Sequence, residues 1–271
     1  MPNSQHLHDP LSGVVVVVLA DFLRQHQGWG WLRLVAGGST YKDVPGLTMV
    51  KVMGSGHGGG FSLRPSATHQ GLICTFTHFD LAQKFLHSTW VQAYRERARE
   101  LWSGVLSVQS ARGHWDKQAW LSTSAEALEG QSESKGPVAV LTRASIVPTK
   151  AMAFWRYAPA AQAGLRQSEG CLLSMGLGEA PLVRQCTFSL WQDTAAMLQY
   201  AHQGAHQVAS AAAYKHQFFS ESLFVRMQVL QMSGVWQGQA FDLSSPAARP
   251  DRLSLHAEPA LGLPVLEPSH V

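Results

Sequence analysis

The same order of strands and helices runs through this chain twice, and few folds accept a sequence built that way. In the first half, the continuous β-branched run Val14–Leu19 reads as a buried strand. A Gly-interrupted helix over Phe22–Val35 follows, with Phe22, Trp29, Leu32 and Val35 as its apolar positions. Leu47–Met53 is a strand, Gly54–Gly60 (GSGHGGG) a loop and Gly71–Phe76 a strand. Asp80 is placed to cap a helix reaching about Glu100, with Leu81, Phe85, Leu86, Trp90 and Tyr94 on one face. Gly104–Ser110 is the last strand, closing on Arg112–Gly113–His114–Trp115. The order is β-α-β-β-α-β, the ferredoxin-like unit.

The pattern then restarts. Val138–Arg143 is a strand, and Lys150–Gln167 is helical with a kink or restart at Pro159. Cys171–Met175 and Thr187–Trp191 are strands, helical pieces fill 193–218, and Leu223–Met232 closes on Gly234–Val235–Trp236. Three short matches fall in the same order in both halves. Met53–Gly54–Ser55–Gly56 matches Met175–Gly176–Leu177–Gly178, Cys74–Thr75–Phe76 matches Cys186–Thr187–Phe188, and both halves end a strand on Gly then Trp. Together they argue for an internal duplication. Each sheet has an apolar face its own helices do not cover, so the two should pair. The expected fold is α+β: tandem ferredoxin-like βαββαβ units forming a dimeric α+β barrel. The first unit is expected over 13–120, a Ser/Glu-rich linker over 121–136, the second unit and its site over 137–240, and a Pro/Ala-rich disordered tail over 241–271.

Composition narrows the function. Charged residues make up only 14% of the 271, against about a quarter in ordinary soluble domains. That leaves apolar surface for a ligand, a partner or a membrane face. The net charge of +3 is unclustered, which argues against nucleic acid as a partner. Cys74, Cys171 and Cys186 are odd in number and widely spaced, which favours buried thiols over a disulfide framework. The run Val14–Leu19 is too short for a membrane span and lacks the basic flank of a signal peptide. A cytoplasmic protein is expected, with room for a peripheral membrane contact.

The stretch 185–221 holds the candidate chemistry. Gly204 breaks a helix there, so His206 begins a new one, where a helix N-terminus disfavours imidazolium and keeps the ring able to ligate a metal or a haem iron. Ala209, Ser210 and Ala213 follow on the same face, small enough for a flat macrocycle to lie against. A helix-start His bonded to a nearby carbonyl accounts for the same pattern. His202 has the i, i+4 spacing of a metal pair with His206, but no acidic third ligand shares the face. His114 is the rival axial ligand, and His57 sits in a Gly-rich connection between strands that lacks the Lys and Ser/Thr of a phosphate loop. Trp155 and Trp191, with Phe154, Phe188, Phe218, Phe219 and Phe224, are core by default. Arg143 and Arg184 lie at or near strand ends, where each needs an anion or carbonyl: a propionate, a polarised oxygen, Glu179 or Glu221.

Several segments resemble the spheroidene monooxygenase family of carotenoid ketolases: Lys51–Gly56, Arg112–Trp115, Gly136–Ala144, Ala153–Trp155, Gly176–Trp191, Gly204–His206 and Phe219–Glu221. The resemblance spans roughly 14–238, and Gly176–Trp191 is its most specific block. It implies a haem b monooxygenase that uses dioxygen and an external electron donor, such as a ferredoxin, to hydroxylate an apolar substrate, twice where a ketone results. It implies a barrel shared with aldoxime dehydratases and chlorite dismutases, with the axial His on the helix after the aromatic-ended strand, the place of His206. Trp155, Trp191, Ala209 and Ala213 would then wall the haem, and Arg143 or Arg184 would polarise oxygen or anchor a propionate. Two other readings stand beside it: a haem lyase of the aldoxime dehydratase type, and a non-catalytic barrel for an apolar ligand. A tandem barrel can be complete as a monomer or associate into a homo-oligomer.

Overall fold

A computed structural model of the chain describes residues 13–119, 136–180, 182–202 and 204–243. The expected linker and tail lie almost wholly outside these ranges. The first unit comprises β1 (Val14–Phe22), α1 (Gln27–Ala36), β2 (Leu47–Gly56), β3 (Pro65–Phe76), α2 (Phe79–Leu86), α3 (Thr89–Arg95), β4 (Ala98–Trp115) and the short β5 (Gln118–Ala119). The second comprises β6 (Val138–Ile146), α4 (Ala151–Phe154), α5 (Ala158–Gln167), β7 (Cys171–Ala180), β8 (Arg184–Trp191), α6 (Thr194–Ala201), α7 (Gly204–Lys215), β9 (Phe219–Trp236) and β10 (Gln239–Leu243).

Both sheets are antiparallel and share one strand order, β4-β1-β3-β2 and β9-β6-β8-β7. They join at two seams. β4 pairs with β9 from Trp102↔Gly234 to Gly113↔Leu223, and β2 meets β7 at Gly54↔Gly178. The result is a closed eight-stranded barrel, which removes the exposed edges each sheet would have alone. Alternation along the strands then sorts the side chains. Val15, Val17, Leu19, Leu141 and Phe188 fill the barrel, while Val14, Val16 and Val18 face the helices outside. Every residue of β1 is buried, which is why its sequence runs apolar without alternation.

Three expectations need correcting locally. Phe22 closes β1 and does not open a helix, which starts only at Gln27. Asp80 does not cap one long helix. It lies in the first turn of α2 behind His78, and the helical stretch breaks after Leu86, where the Ser88 hydroxyl donates to the Phe85 carbonyl at 2.6 Å. The Gly54–Gly60 stretch is only half a loop, because Gly54–Gly56 belongs to β2.

The duplication shows most clearly where β4 and β9 end. Gly113 and Gly234 hold φ of 99° and 119°, and a Cβ at either would overlap a carbonyl of the facing strand, at Ser222 or Leu101. Each glycine leads into a tight turn whose two N–H groups donate to one glutamate. Asp116 and Lys117 donate to Glu221, and Gln237 and Gly238 donate to Glu100. The other two sequence matches are out of register. Through the ladders, Cys186 occupies the place of Gly71, not Cys74, and Leu177 that of Met53. Short identities between buried strands reflect the shared demand for small and apolar residues there.

Candidate functional site

A cavity of about 530 Å³ lies between the outer face of the second sheet and its helices. In the first unit Phe22, Tyr41, Phe76, Phe85 and Tyr94 fill the same layer. The second unit places small residues there instead: Ala158 and Ala161 on α5, Ala201 on α6, and Ala209, Ser210 and Ala213 on α7. The floor is built from alternate strand residues. Arg112, Phe224, Thr142 and Thr187 stand side by side across β4, β9, β6 and β8, with Ala144 and Gln185 paired in the next row. Trp191, Leu165, Met197 and Phe218 enclose the rest in apolar surface.

His206 lines this cavity from the first turn of α7. Gly204, at φ 62°, makes the turn between α6 and α7 that brings it there. Its Nδ1 lies 3.4 Å from the Ala201 carbonyl, which can only accept, so Nδ1 carries the proton and Nε2 keeps its lone pair. Nε2 has no protein partner among the described residues. Burial lowers the imidazole's pKa below the usual range, with the Ala201 carbonyl pulling the other way, so the ring is neutral near pH 7. The Tyr200 ring packs against it at 4.7 Å and against Trp191 at 5.2 Å. The Tyr200 hydroxyl donates to the Ala161 carbonyl at 3.2 Å. The imidazole is thus held on one side by a carbonyl and on another by a fixed aromatic ring.

Among the described residues, no group of three His, Cys, Asp or Glu side chains gathers to hold a metal ion. A bare zinc ion needs three or four such ligands. A single oriented imidazole beside an apolar slot fits a metal that brings its own equatorial donors, as iron in a porphyrin does.

The other expected site residues divide. Trp191, Ala209 and Ala213 line the cavity. Trp155 does not: it is buried behind Phe154, and its indole N–H donates to the Leu182 carbonyl at 3.0 Å. Arg184 also lies outside the cavity, half-exposed and 3.8 Å from Asp116. Arg143 borders the cavity, but its guanidinium is committed to three carboxylates: Glu221, Glu179 at 3.2 Å and Asp116 at 3.3 Å. It takes the barrel-side place that Leu19 has in the first unit. Neither arginine is placed as a donor into the cavity. One strand position decides which face a side chain takes, and buried strands carry no polar alternation to reveal it. His202 is exposed at the end of α6, His57 is exposed in a turn, and His114 borders only a shallow groove with Lys117 and Glu221.

Sequence reasoning missed Tyr200, Arg112, Thr142, Thr187 and Gln185 as cavity residues, and also Phe61. Phe61 comes from the first unit. The Gly-rich connection carries it over to α5, where its backbone N–H donates to the Gln162 side chain and a Cβ on Gly60 would overlap that same side chain. The run of glycines was the available signal, since it permits that close approach.

The chain is 45% identical over 229 residues to a spheroidene monooxygenase of Rubrivivax gelatinosus, covering 84% of this chain and 86% of that one. A second spheroidene monooxygenase, from Rhodobacter capsulatus, is 31% identical over 214 residues, covering 78% and 87%. The chain belongs to the spheroidene monooxygenase family. No family model matches it. The fold has a counterpart in a crystal structure of aldoxime dehydratase, with a TM-score of 0.52, 9% identity and 82% of each chain covered. That likeness concerns the barrel alone. Family members share the monooxygenase name, and in this member His206, Thr142, Thr187 and Gln185 meet at one cavity outside the second sheet.

Proposed function

We propose that this chain is a haem b monooxygenase that hydroxylates an apolar carotenoid such as spheroidene, with His206 as the protein's iron ligand. The observation that carries the reading is His206 itself. It is neutral and oriented through Nδ1, its Nε2 has no protein partner among the described residues, and it lines a slot together with Ala209, Ser210 and Ala213. Haem iron held by an imidazole supplies dioxygen activation when electrons are provided from outside. The chain's own residues supply the rest. Trp191, Leu165 and Met197 exclude water from the slot. The Thr142 and Thr187 hydroxyls and the Gln185 amide have no protein partner among the described residues; the hydroxyls can relay a proton to the reacting oxygen, and the amide can donate a hydrogen bond to it.

Each hydroxylation places one atom of dioxygen in a C–H bond. The other atom leaves as water, with two electrons from an external donor and two protons. A second round at the same carbon gives a geminal diol, which loses water to leave a ketone. Among the described residues, no helix is long and apolar enough to cross a membrane. A peripheral lipid contact fits a lipid-dissolved substrate, since Leu198 on α6 and Val208 and Tyr214 on α7 are exposed outside the cavity.

The test is product formation by purified protein loaded with haemin and given spheroidene, a reductant and a ferredoxin. Oxygen uptake matched to oxygenated carotenoid supports the reading. Turnover of an aldoxime without oxygen would point to the lyase instead, and a loaded protein inert in both assays would contradict catalysis.

A further inference from the structure

We propose that Arg112 binds a carboxylate at the edge of the cavity's ligand, which under the haem reading above is a propionate. The inference rests on the charge of the walls. No Asp or Glu side chain lines the cavity among the described residues, and only two cations border it. Arg143 is neutralised by Glu179, Glu221 and Asp116. Arg112 has no ion-pair or hydrogen-bond partner among the described residues. It is exposed at the rim, across the β4–β9 seam from Phe224.

Its position is set by the sheet. Arg112, Phe224, Thr142 and Thr187 occupy successive strands, so Arg112 stands three strand spacings, roughly 14 Å, from Thr187 across the floor. A guanidinium without a partner among the described residues, at one end of an otherwise uncharged floor, suits a flat ligand that is neutral through its body and anionic at one edge. A neutral hydrocarbon has no use for that charge. A carboxylate can meet the guanidinium through two parallel N–H donors while its far side stays in water.

The experiment is a haemin titration of the full chain, read at the Soret band, for wild type, Arg112→Gln and Arg112→Lys. It is repeated with haemin dimethyl ester, which keeps the ring and removes both propionate charges. Arg112 is exposed, so unchanged far-ultraviolet circular dichroism and melting temperature should confirm that the variants fold. The expected result is haemin affinity about tenfold weaker in Arg112→Gln and partly restored in Arg112→Lys, with equal ester affinity in all three proteins. Equal haemin affinity in wild type and Arg112→Gln would overturn the proposal while leaving haem binding intact. A loss shared by haemin and its ester would also overturn it, since charge would not be the cause. Wild type that binds neither would sink the proposal together with the haem reading.

Discussion

Replacing Arg143 with Met keeps the length of the stem and removes the charge, and the structure sets the expected cost. The Arg143 side chain is 1% exposed and contacts three carboxylates, of which the Glu179 and Glu221 side chains are 14% and 16% exposed. Breaking a buried ion pair from one side usually costs about 3–5 kcal/mol. Here each carboxylate keeps another partner. Glu179 retains Lys51 at 3.3 Å and the Trp115 indole at 3.1 Å. Glu221 retains the Asp116 and Lys117 backbone N–H groups, at 3.1 and 2.6 Å. Asp116 retains Lys51 at 2.6 Å. The cost should therefore fall to about 2–3 kcal/mol, or roughly 5–10 °C in melting temperature for a domain of this size. Thermal and urea unfolding of the apo-protein measure it. Haemin affinity should be unchanged, because the guanidinium faces the carboxylates and not the ligand. A variant as stable as wild type that has lost haemin binding or turnover would refute this reasoning and return Arg143 to the cavity.

Alanine at Gly113 or Gly234 should destabilise the barrel by similar amounts, about 2–3 kcal/mol each in urea unfolding, since both need positive φ and abut a facing carbonyl. Thr187→Val keeps the side-chain shape and removes the hydroxyl. It should leave haemin affinity intact and slow hydroxylation by roughly ten- to a hundredfold in a turnover assay. Haemin affinity should also depend on pH through His206. Its imidazole titrates below the ordinary 6.5, so affinity should be flat from neutral pH down to that lowered value, then fall about tenfold per unit as protonation competes for Nε2. The same group makes the unfolded chain bind more protons than the folded one, so stability declines as pH drops below 6.5. Asp116 and Glu221 have lowered pKa values and contribute losses only under more acid conditions. Haemin titrations of wild type from pH 8 to 5 read the affinity, and urea unfolding of wild type and His206→Ala over the same range isolates the stability slope.

The fold was legible because topology repeats even where residues do not. Strand-length apolar runs, a Gly then Trp at each closing strand, and helices between them are enough to specify two ferredoxin-like units. Register was not legible, since Cys74 and Cys186 resemble each other without being equivalent. Of the site, His206 and its small neighbours could be read because a helix start and an i, i+3, i+7 face are local patterns. Arg143 and Arg184 could not be placed, since their roles turn on which face of a closed barrel they meet. Phe61 and Arg112 come from the other unit: the glycines before Phe61 permit a close approach without naming its partner, and nothing local ties Arg112 to the cavity. Tyr200 was hidden for a related reason. Its contact with His206 depends on the turn at Gly204, which redirects the chain between two short helices.

The most direct measurement is the absorption spectrum of haemin-titrated protein, wild type beside His206→Ala. Saturable binding with a sharp Soret band in wild type, lost or markedly shifted in His206→Ala and partly recovered by added imidazole, is the predicted result. Superimposable spectra for the two proteins, or no haemin binding by the wild type, would contradict it.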